Sequence, residues 1–413
     1  MDSGLSKLAN TLKESSILEI AQKVRDKKAE GIDMINFTVG DYSPAEFPIP
    51  KFLSDRVAHY YQTGATNYSP PTGQVVLREA LKAYYEKNFD LGLPIEFGNF
   101  AVASGARPLI YTTFRAITDP GDTVLYSVPS WNNHHYIGMC GCVPKVISSP
   151  WEQAYLPKVD DIISNLEGVR LLCLNSPLNP SGTHFEDDDL KAICDAVVAE
   201  NKRRKGTGEK DLFMLFDMIY FQFVFGDKKF SHPLKLCPEL NEYFIGIDGV
   251  SKNFCGTGVR VGWSLAPKDV NKVLTKMAGH VGAWAPTPEQ LATADFLKET
   301  AEVDTYLAAT KDKLEGRLQR VYGIIQNFKQ QGYDVDAIAP QGGIYLSFKI
   351  NIKEDNSTFV KKFIDEDHIA MIPMDAFGLD SDLARGQFRI SVGACSDDEI
   401  SRFEEHLGRY LKK

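Results

Sequence analysis

The stretch Asp248-Gly-Val-Ser251-Lys252-Asn-Phe-Cys-Gly256-Thr-Gly258-Val-Arg260-Val-Gly-Trp263 follows the apolar run Tyr243–Ile247, and the fold and chemistry of the chain are read outward from it. A lysine leaves the end of an apolar strand, enters a glycine-rich turn, and an arginine lies eight residues on. A lysine amine placed this way can form a Schiff base with a carbonyl compound. The glycines let the backbone approach an anionic group, and an arginine can clamp such a group with two parallel hydrogen bonds. The competing reading is a surface lysine, but surface lysines rarely follow a buried run into such a turn.

Six more short apolar runs accompany Tyr243–Ile247: Ala101–Ala103, Thr123–Tyr126, Lys145–Ile147, Arg170–Leu174, Leu212–Phe216 and Gly262–Leu265. Amphipathic segments separate them. Strands at that cadence predict an α/β unit built on a mostly parallel sheet, placed at residues 46–290. The segment Asn175-Ser-Pro-Leu-Asn179-Pro-Ser-Gly182 reads as a rigid turn at the carboxyl end of a strand, where open α/β sheets place ligands; a plain proline-rich loop is the alternative. Asp217 ends the run Leu212–Phe216. A buried carboxylate must be paired or protonated, so Asp217 is either a helix cap or the partner of a buried cation.

Residues 1–45 and 291–413 are expected to form a smaller α+β unit. Its parts are one helix over Ser3–Lys28, a strand near Met34–Val39, and a turn-rich loop through Pro44, Pro48 and Pro50. A long helical connection comes next, over Pro288–Tyr322. Strands at Ile344–Ile350 and Gln387–Val392, a helix over Ser357–Asp365 and a closing helix from Asp397 complete it. Val75–Tyr85 reads as a helix, and the charge-dense Asn201–Lys210 as a solvated loop.

Composition narrows the class. The 413 residues carry 43% hydrophobic and 24% charged residues, an ordinary globular balance. Net charge is −9, which argues against nucleic acid as a main partner. No apolar stretch approaches the run of about 18 that a membrane span needs, and the N-terminus lacks an uncharged secretory core. The seven cysteines are scattered, and Cys140 and Cys142 are wrongly spaced for a metal site, so a cytoplasmic protein with reduced thiols and no metal is expected.

Taken together, the Asn-x-Pro spacing at Asn179, the Asp217–Tyr220 pair, and Ser251-Lys252 with Arg260 resemble the fold-type I pyridoxal-phosphate aminotransferases of class I/II. The resemblance is nearest to the aspartate aminotransferase-like group and runs from Gly40 to Arg389. It implies the PLP-dependent transferase fold, with a large α/β domain plus a smaller α+β domain, and pyridoxal 5′-phosphate as cofactor. Lys252 would hold the cofactor and move the substrate α-proton. Asp217 would keep the pyridine nitrogen protonated, and Asn179 and Tyr220 would donate to the ring's phenolic oxygen. Trp131 would stack on the ring, with His134 touching Asp217. Ser104, Gly105, Ala106 and Arg107 match the phosphate-binding turn at a helix N-terminus, completed by Ser251 and Arg260, with Thr257 as a further hydroxyl where some members have a serine at Gly249. Tyr68 would reach the phosphate of a neighbouring subunit, so a homodimer is implied. Arg389 would take the substrate α-carboxylate as a planar fork, and the loop at Gly40 would close over it.

The reaction so implied is transamination between an L-amino acid, aspartate favoured, and a 2-oxo acid such as 2-oxoglutarate. The family often binds a side-chain carboxylate with an arginine that the other subunit supplies; the corresponding stretch here, Gly279–Pro286, has none, leaving His280 or Trp284 to line that pocket. Turnover of aromatic or neutral amino acids, or a β-lyase or synthase chemistry on the same lysine, are the alternatives. A cofactor-binding regulator without turnover is disfavoured by the acidic charge.

Overall fold

The computed structural model describes residues 4–11 and 16–413 of the chain. After strand β1 (Ile35–Asn36) come β2 (Phe100–Ala103), β3 (Thr123–Val128), β4 (Val143–Ser148), β5 (Val169–Asn175), β6 (Phe213–Asp217), β7 (Phe244–Gly249) and β8 (Gly262–Leu265). Strands β2 to β8 form one seven-stranded sheet in the order β2-β8-β7-β6-β5-β3-β4. Each of the seven apolar runs falls on one of these strands. They read as apolar throughout, not alternating, because helices cover both faces of a largely parallel sheet; β2, β7 and β8 are buried at every position.

The register decides what the sheet can present. Asn175 of β5 pairs with Asp217 of β6, and Asp217 with Ile247 of β7. Strand β8 runs antiparallel to both its neighbours, pairing Gly262 with Gly249 of β7 and with Ala103 of β2. The carboxyl ends of β2, β5, β6 and β7 and the amino end of β8 therefore share one edge. The loops carrying Ser104–Arg107, Asn175–Gly182, Asp217–Tyr220, Val250–Asn253 and Arg260 all emerge there.

A second sheet of antiparallel strands holds β9 (Val335–Ala337), β10 (Tyr345–Ile350), β12 (Ile372–Pro373) and β13 (Gln387–Ser391), in the order β12-β13-β10-β9. Strand β11 (Ile369–Ala370) pairs in parallel with β1. That pairing lays residues 37–39 beside β13: Ser391 N–H donates to Phe37 O, and Ser391 Oγ donates to Val39 O at 2.7 Å.

The helices depart from expectation at four places. The N-terminal segment is helical over Lys7–Thr11 and Ser16–Ala29; Ser3 and residues 12–15 lie outside the described residues. Its apolar spacing is not all core, since Leu5, Leu8 and Leu18 are exposed while Val24 is buried. A helix, Lys51–Gln62, follows Pro50 directly; its periodicity is faint because only Leu53 is fully buried. The charge-dense segment is loop only from Lys205. The helix Asp187–Arg204 runs through its first four residues, and Asn201 and Arg204 are buried. Asn201 brackets Leu212, and the Arg204 guanidinium donates to the carbonyls of Leu166, Val169 and Lys210. The long connection breaks at Glu299 into Thr287–Lys298 and Thr300–Gln330. Among the described residues no helix is long and apolar enough to cross a membrane.

Arg317, inside the longest helix and buried, ties three segments together. Its guanidinium meets the Glu46 carboxylate, donates to Asp397 Oδ1 at 2.9 Å and to Cys395 O at 2.5 Å. Removing the guanidinium leaves the buried Cys395 carbonyl without this donor, while Glu46 keeps Lys313 and Asp397 stays 66% exposed. Arg317→Met is therefore expected to cost about 2 kcal/mol, read as a lower urea midpoint for unfolding.

Candidate active site

A cavity of about 460 Å³ lies where the edge of the large sheet faces β10 and β13. Lys252 reaches it from the one-turn helix Val250–Asn253 that follows β7. The turn is braced from below by Asp248, fully buried. Its Oδ1 accepts from Gly249 N–H at 2.6 Å and Asn253 Nδ2 at 2.9 Å, and Tyr85 donates to its other oxygen at 3.3 Å. Trp263 Nε1 in turn donates to Tyr85 Oη. Burial holds the Asp248 carboxyl well above the usual carboxylate range, against its three hydrogen-bond donors. The lysine above it donates to Gly40 O at 2.5 Å. Burial brings its pKa down to about 8, against an opposing pull from Asp41, with Arg389 and Arg107 pushing further down. An amine with that pKa spends a substantial part of its time unprotonated near neutral pH, which proton transfer requires.

Asp217 ends β6 at the cavity floor. Its carboxylate accepts from Ile219 N–H at 3.1 Å. Burial raises its pKa to about 6; the Ile219 hydrogen bond and the charge of Lys252 offset only part of that. Asn175 locks the neighbouring loop, donating to Asp217 O at 2.8 Å and accepting from Asn179 N–H at 2.8 Å.

At one end of the cavity the helix Ala106–Ile117 points its N-terminus inward. Its first amide groups have no intrahelical acceptor, and the helix dipole adds positive potential. Gly105 sits before it at φ +88°, and a Cβ there would fall 2.2 Å from Arg260 Nη2. Only glycine admits the guanidinium this close. Arg260 is held by two carbonyls, Thr257 O at 2.6 Å and Ser104 O at 2.8 Å, with no carboxylate partner among the described residues. Ser251 and Thr257 also line this end.

The opposite wall belongs to β10 and β13. Arg389 is 1% exposed. Its guanidinium donates to Asn179 Oδ1 at 3.1 Å and Thr38 O at 2.8 Å, and its Nε has no partner among the described residues. Tyr345 lies beneath it, 4.6 Å from guanidinium carbon to ring centre, and shares a 2.7 Å hydrogen bond with Tyr220. Gly40 fits over them because it has no side chain: a Cβ would sit 2.8 Å from Tyr345 Oη. Trp131 and Arg107 close a third side, the guanidinium 5.2 Å over the indole.

The structure thus brings Gly40, Ala106, Arg107, Trp131, Asn179, Asp217, Tyr220, Ser251, Lys252, Arg260 and Arg389 around one cavity. Ser104 and Gly105 lie behind its wall, holding Arg260. Tyr68 and His280 do not line it: Tyr68 is 87% exposed and its ring packs on Trp284 at 5.0 Å, and His280 is exposed at the end of its helix. His280 and Trp284, expected at the substrate pocket from the neighbouring subunit, thus lie away from the cavity of their own chain. Nor does His134 touch Asp217. It is exposed against His135, 4.0 Å between ring centres, because the helix Asn133–Cys140 turns Tyr136, not His134, inward. Sequence reasoning missed Thr38, Asp41, Tyr345 and Ile17. Thr38 acts through its carbonyl, which leaves no side-chain signal. Tyr345 follows Gly342-Gly343-Ile344, a glycine pair that could have drawn attention to it.

Pyridoxal phosphate fits these residues. Asp217 is a buried carboxylate that a ring nitrogen cation would pair. The helix N-terminus with Arg260, Ser251 and Thr257 suits a phosphate, and Lys252 stands between them with an amine able to meet an aldehyde.

Comparison with known proteins points the same way. A family model described as aminotransferase class I and II matches residues 32–407. A probable aspartate/prephenate aminotransferase of Aquifex aeolicus is 27% identical over 97% of this chain and 96% of its own length. The aspartate aminotransferase of Bacillus subtilis is 25% identical over 99% of both. Among solved structures, aspartate aminotransferase from Thermus thermophilus with maleate superposes with a TM-score of 0.87 at 23% identity, covering 99% of this chain and all of that one.

Asp217 trades stability for chemistry. A carboxyl whose folded pKa is raised to about 6 disfavours folding increasingly as pH rises from its unfolded value toward 6, and fully above it. In the cofactor-free protein, Asp217→Asn is therefore expected to raise the melting temperature at pH 8 but not at pH 4. Equal effects at both pH values would contradict the assignment.

Proposed function

The chain belongs to the class I and II aminotransferase family, and from that premise we propose that it moves the amino group of a dicarboxylic L-amino acid, aspartate favoured, to a 2-oxo acid such as 2-oxoglutarate, with pyridoxal phosphate held at Lys252. The observation that carries the substrate class is a pair of guanidiniums, Arg389 and Arg107, that face one cavity and that no carboxylate among the described residues neutralises. Arg389 would take the α-carboxylate and Arg107 the distal one, in place of His280 or Trp284. The maleate in the Thermus thermophilus structure, itself a dicarboxylate, supports that choice.

Bound there, the cofactor supplies an electron sink for the pair left when the α-proton departs. The chain's own residues do the rest. Asp217 holds the ring-nitrogen proton, and Asn179 and Tyr220 offer donors to the phenolic oxygen. Trp131 supplies a flat surface for the ring. Lys252, with its lowered pKa, takes the α-proton and returns it to the neighbouring carbon. Arg389 fixes the carboxylate plane so that the scissile C–H bond stands over the ring, which converts binding into orientation.

Exposed Tyr68, Tyr61, Val75, Val76 and Val281 support a homodimer, a set of apolar side chains larger than isolated surface residues account for. Tyr68 would then serve the partner's phosphate site. Light scattering should return twice the chain mass.

A second acceptor, a ring-bearing dicarboxylate such as prephenate, is favoured by the apolar wall of Ile17, Ile110 and Trp131 and by the relatives so named. In a single-turnover absorbance scan, aspartate and glutamate should convert the enzyme fastest. Arg107→Leu should lower kcat/KM for aspartate about 50-fold and for alanine by less than about threefold. Equal losses for both would remove Arg107 from the distal subsite, and preference for neutral amino acids would replace the dicarboxylate reading. Lys252→Ala should abolish both the cofactor absorbance band and turnover.

A further inference from the structure

We propose that Tyr345 is a positioning residue: its hydroxyl donates to Tyr220 Oη, which turns the Tyr220 proton into the cavity toward the cofactor's phenolic oxygen and so lowers the pKa of the Lys252–cofactor linkage. The proposal rests on pyridoxal phosphate being the cofactor and assigns a role to a residue outside the machinery already described.

A proton count decides the direction. Tyr220 and Tyr345 are both buried, and their oxygens lie 2.7 Å apart. Two phenols bring two protons to one oxygen–oxygen contact, so one proton bridges and the other needs an acceptor elsewhere. If Tyr220 donated, the free proton would be that of Tyr345 on the cavity wall beneath Arg389, where the guanidinium offers only donors and the Asp41 oxygens are already held by Thr257 Oγ1 and Tyr42 N–H. If Tyr345 donates, the free proton is that of Tyr220, which lines the cavity floor beside Asp217 and Asn179. The second arrangement aims the free proton at the side of the cavity where Asp217 and Asn179 would hold the cofactor ring.

The geometry leaves Tyr345 little freedom to do otherwise. The rings of Tyr220 and Tyr345 pack edge to face, centres 5.6 Å apart at 75°. Behind it, the Tyr345 carbonyl fills the space that Gly182 lacks in side chain, since a Cβ there would lie 2.1 Å away. In front, Gly40 leaves room for the hydroxyl. The charged and titratable groups facing the pair are Arg389, Asp41, Asp217 and Tyr42. A donor chain strengthens its last hydrogen bond, and a stronger bond to a phenolate favours the anion, which makes the adjoining nitrogen a weaker base.

The test is a pH titration of the cofactor absorbance in the holoenzyme. Tyr345→Phe keeps the ring under Arg389 and removes only the hydroxyl. Its titration midpoint is expected about half a pH unit above that of the unmodified enzyme, with KM for the amino acid unchanged. Tyr220→Phe should shift the midpoint further, and the double variant no further than Tyr220→Phe alone. An unshifted Tyr345→Phe, or shifts that add in the double variant, would overturn the proposal. Should Tyr345→Phe fold poorly, Tyr345→Leu reads the same midpoint, with the added expectation of a raised KM because the ring beneath Arg389 is lost; an unshifted midpoint there overturns it equally. If the unmodified protein forms no absorbance band with pyridoxal phosphate, it is the cofactor reading that fails, a result separable from an unshifted midpoint.

Discussion

The constraint on which the rest depends is an excess of positive charge around one cavity, from Arg389, fully buried, through half-buried Lys252 and Arg260 to exposed Arg107. Four cations, Arg107, Arg260, Arg389 and Lys252, face one cavity against two carboxylates, Asp41 and Asp217. Ion desolvation costs several kcal/mol, and a carboxylate beside each cation would offset it. The fold uses carbonyls instead: Thr257 and Ser104 for Arg260, Thr38 for Arg389, Gly40 for Lys252. Asp41 is itself occupied, its two oxygens held by Thr257 Oγ1 and Tyr42 N–H. Dipoles hold the cations in place without cancelling them, and the charge stays available to a phosphate and to carboxylates.

Such a site needs a frame that does not relax around it, and the topology supplies one. Parallel strands send their carboxyl ends, with their outgoing loops, to one edge. A purely parallel sheet would have left Arg260 at the other edge, since Arg260 precedes its strand. The reversal of β8 brings it round, and the Gly262 pairings with Ala103 and Gly249 let that strand pass close to the phosphate-binding turn. One antiparallel strand thus accounts for the meeting of an arginine, a helix N-terminus and a lysine that are far apart in the chain.

Legibility in the sequence tracked how local the cause of each feature was. Strands β2, β7 and β8 showed as apolar runs because burial on both faces leaves no alternation to misread, whereas edge strand β4 is mostly exposed. Lys252, Asp217 and Asn179 showed because each ends such a run. Tyr345 and Asp41 depend on a second sheet packing onto the first, and beyond the glycine pair before Tyr345 no local pattern records that. His134 was placed by position in a resemblance, yet the turn of its own helix faces it outward in this chain. Arg204 was hidden by composition: in a cluster of charges, nothing marks the one buried guanidinium that binds three carbonyls as well as Glu200.

The contacts across the cavity also separate chemistry from specificity. Hydrogen bonds cross the cavity from Arg389 to Asn179, from Tyr345 to Tyr220, from Lys252 to Gly40 and from Thr257 to Asp41. Under the proposed function these would link the groups that face the substrate to those that face the cofactor, so a displacement of either side would alter both ends together. A substitution in this set therefore acts on binding and on chemistry at once. Arg107 stands apart, since it packs on Trp131 and makes no hydrogen bond or ion pair with its side chain among the described residues. Under the proposed function, exchanging it would change which side chain the cavity accepts while Arg389, Asp217 and Lys252 keep their geometry. A fold arranged this way can change substrates by altering one helix turn, without rebuilding the machinery that moves the proton.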